Sequence, residues 1–315
     1  MAVLAGDIGG TKAWLAAFDG RGNNLLADKI YPSRDFDSLA AIVQQFRQDC
    51  GLNEFSAACF GLPGPVLDNR ASLTNLPWQL CASQLREQLG ISSVVLINDF
   101  QAAAMGIDAL QQHDLLSLQQ GQPQADGNRL VVGAGTGLGV APVVRSGLEF
   151  LPQASEGGHM DFAPTSQLQY RLLEWMWQKW PHVSYERLLS GAGLQCLYAF
   201  FAGLELARSC DWPQPARIQQ LADSGEEHAV AALITFVQIY GAYIGNAALL
   251  WPSFAGIYIA GGIAVKIQPW LRRREFTEAM LAKGRMQGLL EKMPVYLVRE
   301  PALGLRGAML CAKKL

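Results

Sequence analysis

Apolar residues in the first hundred positions fall in short runs broken by glycine-rich or polar turns. Residues 3–5 and 13–18 read as strands on either side of Gly6-Asp7-Ile8-Gly9-Gly10-Thr11-Lys12, and a third strand is expected near 25–31. Leu39, Ile42, Val43 and Phe46 then recur at i, i+3, i+4 and i+7, one face of a helix, with Asp37 and Ser38 as capping candidates. Residues 56–60 read as a strand. So do residues 94–97, apolar throughout and so expected to be buried on both faces. A hairpin followed by alternating helices and strands predicts an α/β arrangement with a mixed sheet.

From about residue 110 the plan restarts. A strand at 129–132 runs into Gly133-Ala134-Gly135-Thr136-Gly137-Leu138-Gly139, and a second strand follows at 140–144. A helical stretch over 167–251, a strand at 257–260, a basic helical stretch, a strand at 295–298 and a terminal helix at 305–314 complete the pattern. The predicted division is a small α/β domain of 1–109 with 300–315, and a large one of 110–299, with a cleft between them.

Composition narrows the reading. The chain has 315 residues, 25 Lys+Arg against 27 Asp+Glu and a formal net charge of -2, which excludes a phosphate-tracking basic surface and with it nucleic acid as the main partner. Its 32 glycines are roughly a tenth of the residues, above the usual ~7%. None of the six cysteines forms a C-x-x-C pair or has zinc spacing with histidine. The thiols read as reduced, and no signal peptide is read at the N-terminus, so a cytoplasmic protein is expected. Residues 229–265 carry no charge, long enough to raise a membrane span. Pro252, Ser253 and the glycines at 241, 245, 256, 261 and 262 favour instead a buried helix ending near 250, a turn, and a core strand. The Arg272-Arg273-Arg274 run reads as a solvated helix face.

Four motifs can carry chemistry. Each of the two glycine turns can expose backbone N–H groups to an anion and let phosphate oxygens come close, with Thr11 or Thr136 adding a hydroxyl; the plain alternative is a hairpin using glycine for positive φ. A strand rather than a helix follows each turn, which disfavours a dinucleotide fold, and neither turn has the Gly-Lys-Ser/Thr of a P-loop. Asp7, beside the first turn, can hold a hydrated magnesium ion. Asn98-Asp99 ends an apolar strand: Asp99 can accept a hydroxyl proton while Asn98 bonds a neighbouring hydroxyl, or Asp99 is merely the N-cap of the following helix. Glu156 and His159, three apart around two glycines, and Glu186 at the start of a helical turn suit a polyhydroxylated ligand; each also has a purely structural reading, as a His-Glu hydrogen bond or a first-turn glutamate.

Taken together the chain resembles the bacterial glucokinase family, ATP-dependent and hexokinase-like, related in fold to actin and Hsp70. The resemblance lies in residues 6–11, Ile97-Asn98-Asp99-Phe100, residues 133–141, Glu156-Gly157-Gly158-His159-Met160-Asp161, the block 186–194 and Ile259-Ala260-Gly261-Gly262-Ile263. It implies a two-lobed RNase H-like fold and transfer of phosphate from Mg-ATP to the 6-hydroxyl of glucose. Asp99 is then the base, and Asn98, Asp99, Glu156, His159 and Glu186 hold the sugar. Gly6, Asp7, Ile8, Gly9, Gly10, Thr11, Gly135, Thr136, Gly137, Gly261 and Gly262 lie near the nucleotide, and a homodimer is expected. Lys12 and Trp14 stand where the family pattern has Asn and Arg; Lys12 is similar to the ROK sugar kinases and repressors, whose cysteine-rich zinc motif is not found here. The alternatives are a kinase for another hexose, a catalytically silent sensor of sugar and ATP, and an actin-like ATPase scaffold.

Overall fold

A computed structural model of the chain describes residues 1–20, 24–73 and 76–315. In chain order the elements begin with β1 (Ala2–Ile8), β2 (Lys12–Asp19), β3 (Leu25–Pro32), α1 (Leu39–Cys50), β4 (Phe55–Leu62), β5 (Arg70–Ser72), β6 (Gln79–Cys81), α2 (Ala82–Leu89), β7 (Ser93–Asn98) and α3 (Asp99–Gly106). Next come β8 (Leu115–Gln119), β9 (Arg129–Ala134), β10 (Leu138–Ser146), β11 (Glu149–Pro152), α4 (Gln167–Trp177), α5 (Gly191–Phe201), α6 (Pro215–Asp223) and α7 (Glu227–Leu250). The chain ends with β12 (Gly256–Ala260), α8 (Gly262–Lys266), α9 (Gln268–Leu271), α10 (Arg274–Leu281), α11 (Gln287–Leu290), β13 (Val295–Val298) and α12 (Leu303–Lys313). It folds as two compact units, one of residues 1–114, 149–154 and 300–315, the other of 115–148 and 155–299.

The first unit is built on a five-stranded sheet of order β3-β2-β1-β4-β7, in which β1, β4 and β7 are parallel and β2 runs antiparallel to both of its neighbours, β1 and β3. Both faces are covered, so β1 shows no polar alternation. Val3 and Ala5 pack with Leu305, Ala308 and Met309 of α12, whereas Leu4 and Ile8 belong to the core shared with α1 and α2. Helix α1 buries Leu39, Ile42, Val43 and Phe46, each contributing about 1.5–3 kcal/mol. Ser38 caps it, accepting the N–H of Ala41 at 3.2 Å, and Gly51 closes it at φ 66°.

Helices α3 and α12 of this unit touch backbone to backbone. A Cβ on Gly106 would strike the carbonyl of Leu303, and one on Gly307 the carbonyl of Ala102. Glycine is required there by close approach, since neither residue has positive φ.

The second unit repeats the scheme. A hairpin, β9–β10, is followed by strands β12 and β13 lying parallel to β9, with neighbours in the order β10-β9-β12-β13-β8. The likeness of the two glycine turns in sequence is thus a likeness of topology: each closes a hairpin whose first strand then pairs with a parallel one. The charge-free segment is the core helix of this unit. Helix α7 is the one described helix long and apolar enough to cross a membrane, and most of it is buried within the fold. Gly241 and Gly245 sit against the carbonyls of Phe276 and Met280, so α10 lies close on α7. Arg272, Arg273 and Arg274 are exposed, Arg273 pairing with Glu275 at 2.9 Å.

Candidate active site

In the first unit the candidate groups sit at the carboxyl ends of parallel strands, where open α/β sheets bind ligands. Asp7 lies opposite Gly61, and Leu62 opposite Asn98, so strand β4 alone separates β1 from β7. That spaces their backbones by roughly 10 Å. A Cβ on Gly61 would stand 3.1 Å from Ala102 and 3.7 Å from the Asp99 Cα, and its absence lets the start of α3 settle on the sheet.

The capping reading is corrected here. Asn98, not Asp99, is the N-cap: its Oδ1 accepts from Phe100 N at 2.9 Å and Gln101 N at 3.3 Å, while Gln101 Oε1 accepts Asn98 N at 3.2 Å. Asp99 is the first helical residue, half-buried, its Oδ1 accepting the N–H of Phe100 at 2.9 Å. Asn98 Nδ2 donates to Gly64 O at 3.1 Å, so one of its two N–H bonds is left over.

Around Asp7, burial raises the carboxyl above the ordinary carboxylate value and the positive charge of Lys12 opposes the rise. Its oxygens make no hydrogen bond among the described residues. Gly304 of α12 comes so near that a Cβ on it would lie 3.4 Å from the carboxyl carbon. A largely buried carboxylate without hydrogen-bond donors, facing a residue with no side chain, suits a hydrated cation. The neighbouring turn is held by a residue the sequence patterns do not single out. Ser33, fully buried, donates from Oγ to Gly9 O at 2.7 Å and from N to Thr11 O at 3.0 Å. Trp14 donates from Nε1 to Asp28 at 2.9 Å, and Lys12 Nζ lies 5.8 Å from the Trp14 ring centroid.

In the second unit three segments are stitched together by main-chain bonds. Phe162 N donates to Val183 O and Tyr185 N to Met160 O, both at 2.9 Å, which joins the turn Gly157–His159 to the turn Tyr185–Arg187. Gly158 rests on the carbonyl of Leu138 with no room for a Cβ. Leu138 N in turn donates to Glu186 Oε2 at 2.9 Å, and that oxygen fills the place a Cβ on Gly137 would take. His159 Nε2 therefore stands 4.0 Å from Glu156 Oε2 and 3.9 Å from Glu186 Oε1. These distances are too long for hydrogen bonds between the side chains. Asp161, in the same block, turns instead to His182 at 2.9 Å.

The glycine turn itself departs from the plain hairpin reading. None of Gly9, Gly10, Gly135 and Gly137 has positive φ, so handedness does not require glycine at any of them, and at Gly137 it is the Glu186 carboxylate that leaves no room for a side chain. Gly135 has nothing within 4 Å of a built Cβ. Gly261, at φ 91°, abuts the carbonyl of Ala134, which brings the 261–262 segment beside the turn. Exposed Thr136 completes it.

Comparison with known proteins identifies the family. The sequence profile of the glucokinase family matches residues 4–315. A glucokinase of Nostoc punctiforme is 39% identical over 338 aligned positions, covering 99% of both chains. Among solved structures, that of a glucokinase from an Antarctic psychrotroph superposes with a TM-score of 0.86 at 31% identity, covering 100% of this chain and 99% of that one. A ROK family glucokinase from Streptomyces griseus, solved with glucose and AMPPNP, shares the fold at TM-score 0.69 and 19% identity, covering 100% of each chain. Match over nearly the full length, in sequence and in fold, settles the assignment: the chain belongs to the glucokinase family of sugar kinases.

Proposed function

We propose that this chain transfers the γ-phosphoryl group of ATP to the 6-hydroxyl of glucose, releasing glucose 6-phosphate and ADP. The observation that carries the reading is the trio Glu156, His159 and Glu186, whose side chains approach to about 4 Å without bonding one another. A gap of that size admits hydroxyls, and vicinal hydroxyls bridging it would satisfy His159 as donor and the two carboxylates as acceptors. Glu186 has one oxygen committed to Leu138 N, leaving Oε1 for the sugar. Asn98 contributes its uncommitted N–H.

Asp99 is the base in this account. As the 6-oxygen forms its bond to the γ-phosphorus, the Asp99 carboxylate takes the hydroxyl proton, and the bond from phosphorus to the bridging oxygen breaks to release ADP. The turns Gly9-Gly10-Thr11 and Gly135-Thr136-Gly137, their threonines exposed, hold phosphates through backbone N–H groups and threonine hydroxyls, with Gly261-Gly262 beside the second turn. Asp7 is the residue fitted to hold magnesium through water. Magnesium bound there with ATP would neutralise charge on the phosphates. The same reading takes the enzyme to be cytoplasmic and homodimeric.

Coupled measurement of ADP release over a panel of hexoses tests the proposal. Glucose is expected to give the highest kcat/KM. Preference for mannose, fructose or an N-acetylated amino sugar would replace the substrate, and no sugar-dependent release would leave a sensor.

A further inference from the structure

Tyr243, on the core helix α7, is fully buried, and its hydroxyl makes no hydrogen bond among the described residues. A buried hydroxyl gives up its bonds to water, so proteins almost always return a partner to it. Its surroundings point to where that partner is. Tyr243 Oη lies 3.5 Å from the position a Cβ on Gly157 would take, and Ser155 Oγ lies 3.2 Å from the same point. Ser155 Oγ accepts the N–H of Gly157 at 3.1 Å, which leaves its own proton free to be shared. On its other side the Tyr243 ring stands 4.8 Å from that of Tyr185. Tyr185 directly precedes Glu186, and its hydroxyl accepts from Asn246 Nδ2, also on α7, at 3.0 Å. One phenol thus touches both segments that carry the carboxylates of the trio.

We infer that Tyr243 is a positioning residue for sugar binding: when glucose hydroxyls engage Glu156 and His159, Tyr243 Oη and Ser155 Oγ close to a hydrogen bond that holds residues 155–159 in the sugar-binding arrangement. The inference rests on the sugar-site reading above and adds to it a group that touches neither sugar nor nucleotide. The hydroxyl's lost hydration is then recovered only in the complex, so its contribution falls on glucose affinity and not on the stability of the free chain.

Steady-state kinetics and melting of the full chain carrying Tyr243→Phe, Ser155→Ala or both provide the test. Tyr243→Phe is expected to melt no lower than the parent, with glucose KM raised roughly three- to tenfold, the worth of one neutral hydrogen bond. Its kcat and ATP KM stay within about twofold. Ser155→Ala also loses the bond from Gly157 N, so it is read through the pair: adding Tyr243→Phe to Ser155→Ala should raise glucose KM no further. An unchanged glucose KM in Tyr243→Phe overturns the inference. So do a lowered melting temperature with kcat and KM changed together, or effects of the two substitutions that multiply. His159→Ala separates the two levels. If it raises glucose KM while Tyr243→Phe does not, the inference falls alone; if it leaves glucose KM unaltered, the sugar-site reading falls and the inference with it.

Discussion

Glu186 occupies the space that a side chain on Gly137 would need, and its Oε2 accepts the N–H of Leu138, the next residue, at 2.9 Å. A carboxylate of one candidate sugar-binding segment is therefore the lid on a glycine of the candidate phosphate turn. Gly137→Ala must displace Glu186, and the expected result is a raised glucose KM with a loss of about 1–3 kcal/mol in stability. Gly135→Ala meets nothing within 4 Å, so the fold should tolerate it. If the turn receives phosphates, its methyl group should raise the KM for ATP. Kinetics of the two variants side by side check both, and an unaltered glucose KM in Gly137→Ala would detach Glu186 from the sugar.

Asp7 is held at a cost to the fold. Its raised pKa means that the folded chain binds the proton more tightly than the unfolded chain does, so stability declines as pH rises from the ordinary carboxylate range through the raised folded value. Asp7→Asn should abolish that decline and melt higher than the parent near neutral pH, while impairing turnover and weakening its dependence on magnesium. Melting curves across pH, with a magnesium titration of activity, give the answer; a variant that is both less stable and fully active would contradict the assignment.

The contact between α3 and α12 predicts a purely structural lesion. Gly307→Ala drives a methyl group into the carbonyl of Ala102, which the helices can relieve only by moving apart. Overpacking of this kind costs about 1–3 kcal/mol, sometimes more. Denaturant unfolding should show it, and a loss below about 0.5 kcal/mol, the scatter of ordinary surface substitutions, would mean that the helices are less closely set than described.

What could be read in advance was whatever adjacent residues determine. The hairpin strands, the Ser38 cap, the apolar face of α1 and the end of α7 at Leu250 depend on periodicity and on proline or glycine at the right step. Even close at hand a rule could misfire: an acidic residue before an apolar helix reads as its cap, yet Asn98 captures both N–H groups and makes Asp99 the first residue of the helix. Distance along the chain hid the rest. That Glu156 and His159 meet Glu186 follows from main-chain bonds between 160–162 and 183–185, which no local pattern announces. Ser33 under the first turn, Gly304 beside Asp7 and Tyr243 under Gly157 lie tens to hundreds of residues from what they serve. For the glycine turns the plain alternative of positive φ is not met, and at Gly137 and Gly158 it is a neighbouring oxygen that excludes a side chain.

The account stands or falls on the carboxylate of Asp99. Asp99→Asn keeps the shape of the side chain and removes its basicity, so the measurement is kcat for glucose phosphorylation together with the glucose dissociation constant. The account predicts turnover reduced by about 10²-fold or more, the usual worth of a general base, with glucose still bound. Turnover close to that of the parent chain would contradict it.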